Sequence, residues 1–146
     1  MIWNNHILIS ALTAWALAQI VKVPIDYLVT HRWNWRLAFT TGGMPSSHSA
    51  LVLGTMVSCG LYAGFDSAVF ALSVAVAMVV TYDATGVRRQ AGYHAERINT
   101  IIRTFLQGHP ISESDLKEVL GHTPRQVVVG SIMGVISSLI YWLVWR

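Results

Sequence analysis

The chain has 146 residues, of which 53% are hydrophobic and 12% charged, and a formal net charge of +3. Soluble proteins carry roughly 25% charged residues, so a chain of one-domain length with half that share cannot cover its surface as an ordinary soluble globule. The same composition excludes intrinsic disorder, and the single cysteine, Cys59, excludes an internal disulfide framework and a cysteine-based zinc cluster. A basic balance would suit nucleic acid, but in so apolar a chain it reflects membrane topology and anionic lipid, and no nucleic-acid partner is expected.

The first apolar stretch runs from Ile7 to Val29 with only Lys22 and Asp26 as charges. It has no basic leading region and is too long for the core of a cleavable signal peptide. A loop with Arg32, Trp33, Trp35 and Arg36 follows, then a second stretch, Ala50 to Phe65. The connection Ala63-Gly64-Phe65-Asp66-Ser67 is tight, which predicts a helical hairpin with the third stretch, Ala68 to Tyr82. These two have 16 and 15 residues. Crossing a bilayer core of ~30 Å takes about 20 helical residues, and Gly43–Ser49 and Asp83–Val87 can lengthen them. The loop from Thr85 to Thr123 reads as an amphipathic helix from Gln90 to Phe105, a Gly108-His109-Pro110 turn, and a short helix from Ser114 to Leu120 capped by Ser112 or Ser114. Its acids, Glu96, Glu113, Asp115 and Glu118, form a polar face without metal-ligand spacing, and His94 and His109 read as solvated. The fourth stretch, Val127 to Trp145, has no charge.

None of the stretches alternates strictly, which favours helices over barrel strands. The expected fold is all-α: an integral-membrane bundle of four transmembrane helices with amphipathic helices in the third loop, one domain over residues 1–146. Eight of the ten Lys and Arg residues lie in the first loop or between the third and fourth stretches, Arg125 included, which puts that face in the cytoplasm and both termini outside, in a cell membrane. Trp33 and Trp35 suit one interface, and Trp142 and Trp145 the other.

Four groups of residues at this face can carry chemistry. Gly42-Gly43-Met44-Pro45-Ser46-Ser47-His48-Ser49 opens a helix. Its N–H groups, the Ser46 and Ser47 hydroxyls and an acid at His48 would suit an anion; alternatively a serine is only a cap and His48 only interfacial. Tyr82-Asp83-Ala84-Thr85-Gly86-Val87-Arg88-Arg89 offers phosphate-matched Arg side chains, or a stop-transfer pair. Asp83 at the same depth requires a partner or a role, such as orienting an Arg or a His. Leu120-Gly121-His122-Thr123-Pro124 gives a second helix N-terminus with a histidine before it, a nucleophile toward phosphorus or a solvated residue in a capping turn. Lys22, near Gln19, either pairs with Asp26 one turn on or points inward at an anion. Together they outline a pocket for a phosphate whose apolar tail lies in the bilayer.

These segments resemble those of the divergent type-2 phosphatidic acid phosphatase family, also described as acid phosphatase/vanadium-dependent haloperoxidase-related. The likeness extends from Ala18-Gln19 and Lys22 to Gly130. It implies a membrane phosphatase that hydrolyses lipid phosphates without metal or other cofactor. By that likeness His122 attacks phosphorus, His48 protonates the leaving oxygen, and Lys22, Ser46, Ser47 and Arg88 or Arg89 hold the phosphate. Several positions depart from the parent pattern. No Arg-Pro follows Lys22 at the parent spacing, Ser47 replaces a glycine, and more than thirty residues separate Arg89 from His122. Gln126 stands where the parent has the Asp that orients the histidine, so Asp83, with Glu118 behind it, is the substitute.

The expected function is therefore hydrolysis of a lipid phosphate or pyrophosphate, of the phosphatidic acid, phosphatidylglycerol phosphate or polyprenyl phosphate class. The alternative is a non-catalytic protein that binds or moves an anionic phospholipid. In that case Gly130, Ser131 and Gly134 would pack against a partner helix in a homo-oligomer. A halide-oxidising role rests on the family name alone.

Overall fold

A computed structural model describes residues 4–40, 42–105 and 122–146. The chain forms α1 (His6–Thr30), a 3₁₀ turn (Trp35–Phe39), α2 (Ser47–Ala63), α3 (Ala68–Thr85), α4 (Val87–Phe105) and α5 (Pro124–Trp145). No strand occurs among the described residues. Helix ends follow the local chemistry. Asn5, Ser46, Ser67 and Thr123 each cap a helix by accepting a backbone N–H three residues on. His31 closes α1 in the left-handed region at φ 54°. Gly86 separates α3 from α4, which starts three residues before the expected Gln90. The 3₁₀ turn in the first loop was not foreseen. The turn at 108–110, the helix expected from Ser114 to Leu120, and His109, Glu113, Asp115 and Glu118 lie outside the described residues.

α1, α3 and α5 are long and apolar enough to cross a membrane. With 25 and 22 residues, α1 and α5 extend about 37 and 33 Å at ~1.5 Å per residue, against a hydrocarbon core of ~30 Å. α2, with 17 residues, is the hub and packs on α1, α3 and α5. It runs antiparallel to α1, since Ser58 meets Ser10 at one end and Ser47 meets Lys22 at the other. It runs parallel to α5, since Ser46 and Gly54 meet Gln126 and Ser138 in the same order.

The packing is the reverse of a soluble core. The buried apolar side chains are Ala11, Ala14, Ala18, Val23, Ala50, Cys59, Ala77, Ala84 and Val127, while large residues such as Ile20, Leu72, Val79, Ile132 and Ile140 are exposed. In water this would be unstable; in lipid, whose tails are as apolar as leucine, helices gain by close approach through small residues. Rows at every fourth residue make the contact: Ala14, Ala18 and Lys22 on α1, Ala50, Gly54 and Ser58 on α2, Gly130, Gly134 and Ser138 on α5. A Cβ on Gly134 would run into the Ala50 carbonyl, and one on Gly130 into the Ser46 carbonyl. Gly130 and Gly134 thus pack on the start of α2 in the same chain. Hydroxyls seal the seams: Ser58 donates to the Ser10 hydroxyl at 2.8 Å and Ser138 to the Gly54 carbonyl at 3.1 Å. Aromatic groups gather at both ends. Tyr27, Trp33 and Trp35 stack at 4.5 and 5.6 Å at one, and Tyr141 stacks on Trp145 at 6.3 Å at the other.

Candidate functional site

The site is built at the end where α2 and α5 begin. Gly43 takes φ 85°, a backbone open to glycine, and the Met44–Pro45 bond is cis. This turn delivers Ser46 to the N-cap of α2 and Ser47, His48 and Ser49 to its first turn. The Ser46 hydroxyl accepts the Ser49 N–H at 3.3 Å and the Ser49 hydroxyl at 3.0 Å, and both residues are fully buried. The Ser46 N–H donates to the Gln126 carbonyl at 3.0 Å, so the starts of α2 and α5 are bonded to each other.

Lys22 arrives from α1, at the end of the row Ala14, Ala18, Lys22. Only 1% of it is exposed. Its Nζ donates to the Thr40 carbonyl at 2.9 Å and to the Ser47 hydroxyl at 3.4 Å. The bond to Asp26 that spacing allowed is not made; Asp26 instead accepts from the Thr30 hydroxyl at 3.4 Å. Among the described residues the ammonium thus has two neutral acceptors and no carboxylate. Lysine has three donors, so one remains for a ligand. A buried cation with no counter-ion among the described residues, next to the positive end of α2, attracts an anion.

His48 and His122 meet here. Their ring centroids are 6.4 Å apart, with planes inclined at 53°. His122 is 8% exposed and precedes the N-cap of α5. A reciprocal capping box holds that end. The Thr123 hydroxyl accepts the Gln126 N–H at 3.4 Å, and Gln126 Oε1 accepts the Thr123 N–H at 2.9 Å. The same Oε1 lies 3.3 Å from His122 Nδ1.

Three helices therefore bring Lys22, Ser46, Ser47, His48 and His122 together. Asp83 stands half-buried in the last turn of α3, and the first turn of α4, which follows at the same end of the bundle, carries Arg88 and Arg89 in its sequence. Among the described residues no group of three or more His, Cys, Asp or Glu is placed to hold a metal ion. Sequence reasoning missed the Thr40 carbonyl and named Gln126 only as a departure from the parent pattern. The Thr40 carbonyl is backbone and leaves no signal. Gln126 does leave one, in the spacing Thr123-x-x-Gln126 of a capping box and its position four residues after His122.

A small-residue bundle with an apolar exterior and a polar cluster at one end is a helical membrane protein. The chain belongs to the divergent PAP2 family, whose profile matches residues 3–137. It is 39% identical over 148 residues to the uncharacterized membrane protein YuiD of Bacillus subtilis (strain 168), covering 94% of each chain. No solved structure matches it.

Proposed function

We propose that this protein is an integral-membrane phosphohydrolase acting on a lipid phosphate or pyrophosphate, of the phosphatidic acid, phosphatidylglycerol phosphate or polyprenyl phosphate class. The observation that carries the reading is the convergence of His48 and His122, 6.4 Å apart, beside the buried Lys22 ammonium. Membership of a family related to membrane phosphatases supports it. So does an apolar groove of about 340 Å³ between α2, α3 and α5, which starts at Thr81 and Val127 near the site and can take a lipid tail.

In this reading His122 attacks phosphorus, the bond from phosphorus to the lipid oxygen breaks, and His48 gives that oxygen its proton. Water then attacks the phosphohistidine, passing a proton to His48, and inorganic phosphate leaves. Lys22, the Ser46 and Ser47 hydroxyls, Arg88 or Arg89 and the N–H groups of α2 stabilise the charged oxygens. Asp83 neutralises or orients one of the basic groups at the α3–α4 junction. α2 is a fourth span, α4 lies amphipathically along the cytoplasmic surface, and both termini are outside the cell membrane.

The test is phosphate release by the detergent-purified protein from a panel of lipid phosphates, with and without EDTA, beside His122→Ala. EDTA-resistant release that disappears in the variant is expected. Wild-type release by His122→Ala would refute the mechanism, and release abolished by EDTA would replace it with a metal-dependent one. A second reading, binding or transport of an anionic phospholipid without turnover, is favoured by one observation, the amide of Gln126 where the parent pattern has a carboxylate. Binding of the same lipids with no release from any would select it.

A further inference from the structure

We infer that Gln126 is a positioning residue that fixes His122 with its proton on Nδ1, leaving Nε2 as the nitrogen that reacts. The inference rests on the phosphohydrolase reading for the use made of Nε2, but the bonding it describes stands on geometry alone. A backbone N–H can only donate. The Thr123 N–H lies 2.9 Å from Gln126 Oε1, so the amide oxygen, and not its nitrogen, occupies that place. An amide oxygen only accepts. His122 Nδ1, 3.3 Å from the same atom, must then be the donor, and the neutral ring carries its lone pair on Nε2. The capping box is what aims the oxygen: the side chain of a residue at the third helical position folds back over the cap, where His122 precedes it.

An amide holds this tautomer without charge. A carboxylate in the same place would also stabilise the imidazolium and keep the ring protonated to higher pH. Gln126 therefore leaves His122 neutral, and nucleophilic, at lower pH than an acid would. The other ionisable residues on the elements at this end are His48 of α2, its ring centroid 6.4 Å from that of His122; Lys22 of α1, bonded to Ser47; Asp83 of α3; Arg88 and Arg89 at the start of α4; and Arg125 of α5. None of them changes in the comparison that tests Gln126.

That comparison is Gln126→Glu, which preserves the capping box because glutamate serves at that position. The acid limb of the kcat/KM profile is expected to move up by roughly 1–3 pH units, the effect of an opposite charge within about 4–6 Å. Gln126→Leu removes the acceptor, and kcat/KM should fall roughly 10²-fold. Independently of turnover, ¹⁵N-histidine spectra in detergent, with His122 assigned by its loss in His122→Ala, should show the Nδ1–H tautomer in the wild type. They should also show a His122 titration shifted upward in Gln126→Glu. An Nε2–H tautomer in the wild type, or an unmoved titration in a Gln126→Glu protein of wild-type melting temperature, would reduce Gln126 to a helix cap and overturn the inference. Absence of turnover in every protein would refute the phosphohydrolase reading, and the spectra would still decide the role of Gln126.

Discussion

Replacing Gly130 by alanine puts a methyl group against the Ser46 backbone, with its carbonyl oxygen in hard contact and the Ser46 C and N atoms both 3.0 Å away. Backbone on a capped turn cannot rotate aside as a side chain can, so α2 and α5 must separate where both begin. Overpacking of this kind costs about 1–3 kcal/mol. The Ser46 N–H to Gln126 carbonyl bond of 3.0 Å lies at the contact, and its loss adds about 1 kcal/mol. Alanine recovers about 1 kcal/mol of helix propensity over glycine, leaving a net destabilisation of roughly 1–3 kcal/mol. Function suffers more. His48 is on one side of the opened seam and His122 on the other, and a misplacement of about 1 Å costs up to roughly 10²-fold in rate. The assay is thermal unfolding in detergent together with phosphate release. Gly42→Ala is the control, because its added Cβ meets nothing within 4 Å. A Gly130→Ala protein with wild-type melting and wild-type turnover would show that the two helix starts do not form one rigid site.

Two further substitutions separate folding from chemistry. Lys22→Met removes a buried cation that has only neutral acceptors among the described residues, so the melting temperature should hold or rise while phosphate release falls roughly 10²-fold or more; unchanged release would remove Lys22 from the site. Ser138→Ala deletes the bond to the Gly54 carbonyl at 3.1 Å, and a loss of about 0.6 kcal/mol, the average for such bonds between membrane helices, is expected in reversible unfolding with no change in turnover.

The helices were legible because apolar runs ended at strong signals. The expected Ile7–Val29 became His6–Thr30, and Thr123-Pro124 opened α5 as its chemistry requires. Lys22 was harder, because helical spacing allows both Asp26 and an inward position. The structure turns it inward, and the cue was present: Lys22 continues the row of Ala14 and Ala18, the side on which α1 packs. The stripe of Gly130 and Gly134 announced close packing, but composition does not say which helix approaches; in the structure α2 of the same chain lies against both. Gln126 was noticed only for what it is not. A search for a carboxylate beside His122 passes over an amide whose oxygen accepts the same hydrogen bond. The Thr40 carbonyl belongs to a turn that no apolar pattern marks.

The central position of α2 has a dynamic consequence. α1, α3 and α5 all pack on it, so displacing it disrupts three interfaces, whereas α3 buries only Ala77 and Ala84. Amides of α2 should be the slowest to exchange with solvent and those of α3 among the first, since regions with few buried contacts open at the least cost. The turn that carries Ser46, Ser47 and His48 is thus mounted on the central helix of the bundle, while α3, one wall of the groove that starts near it, buries few side chains. Opening along that wall should therefore precede any separation of α1, α2 and α5.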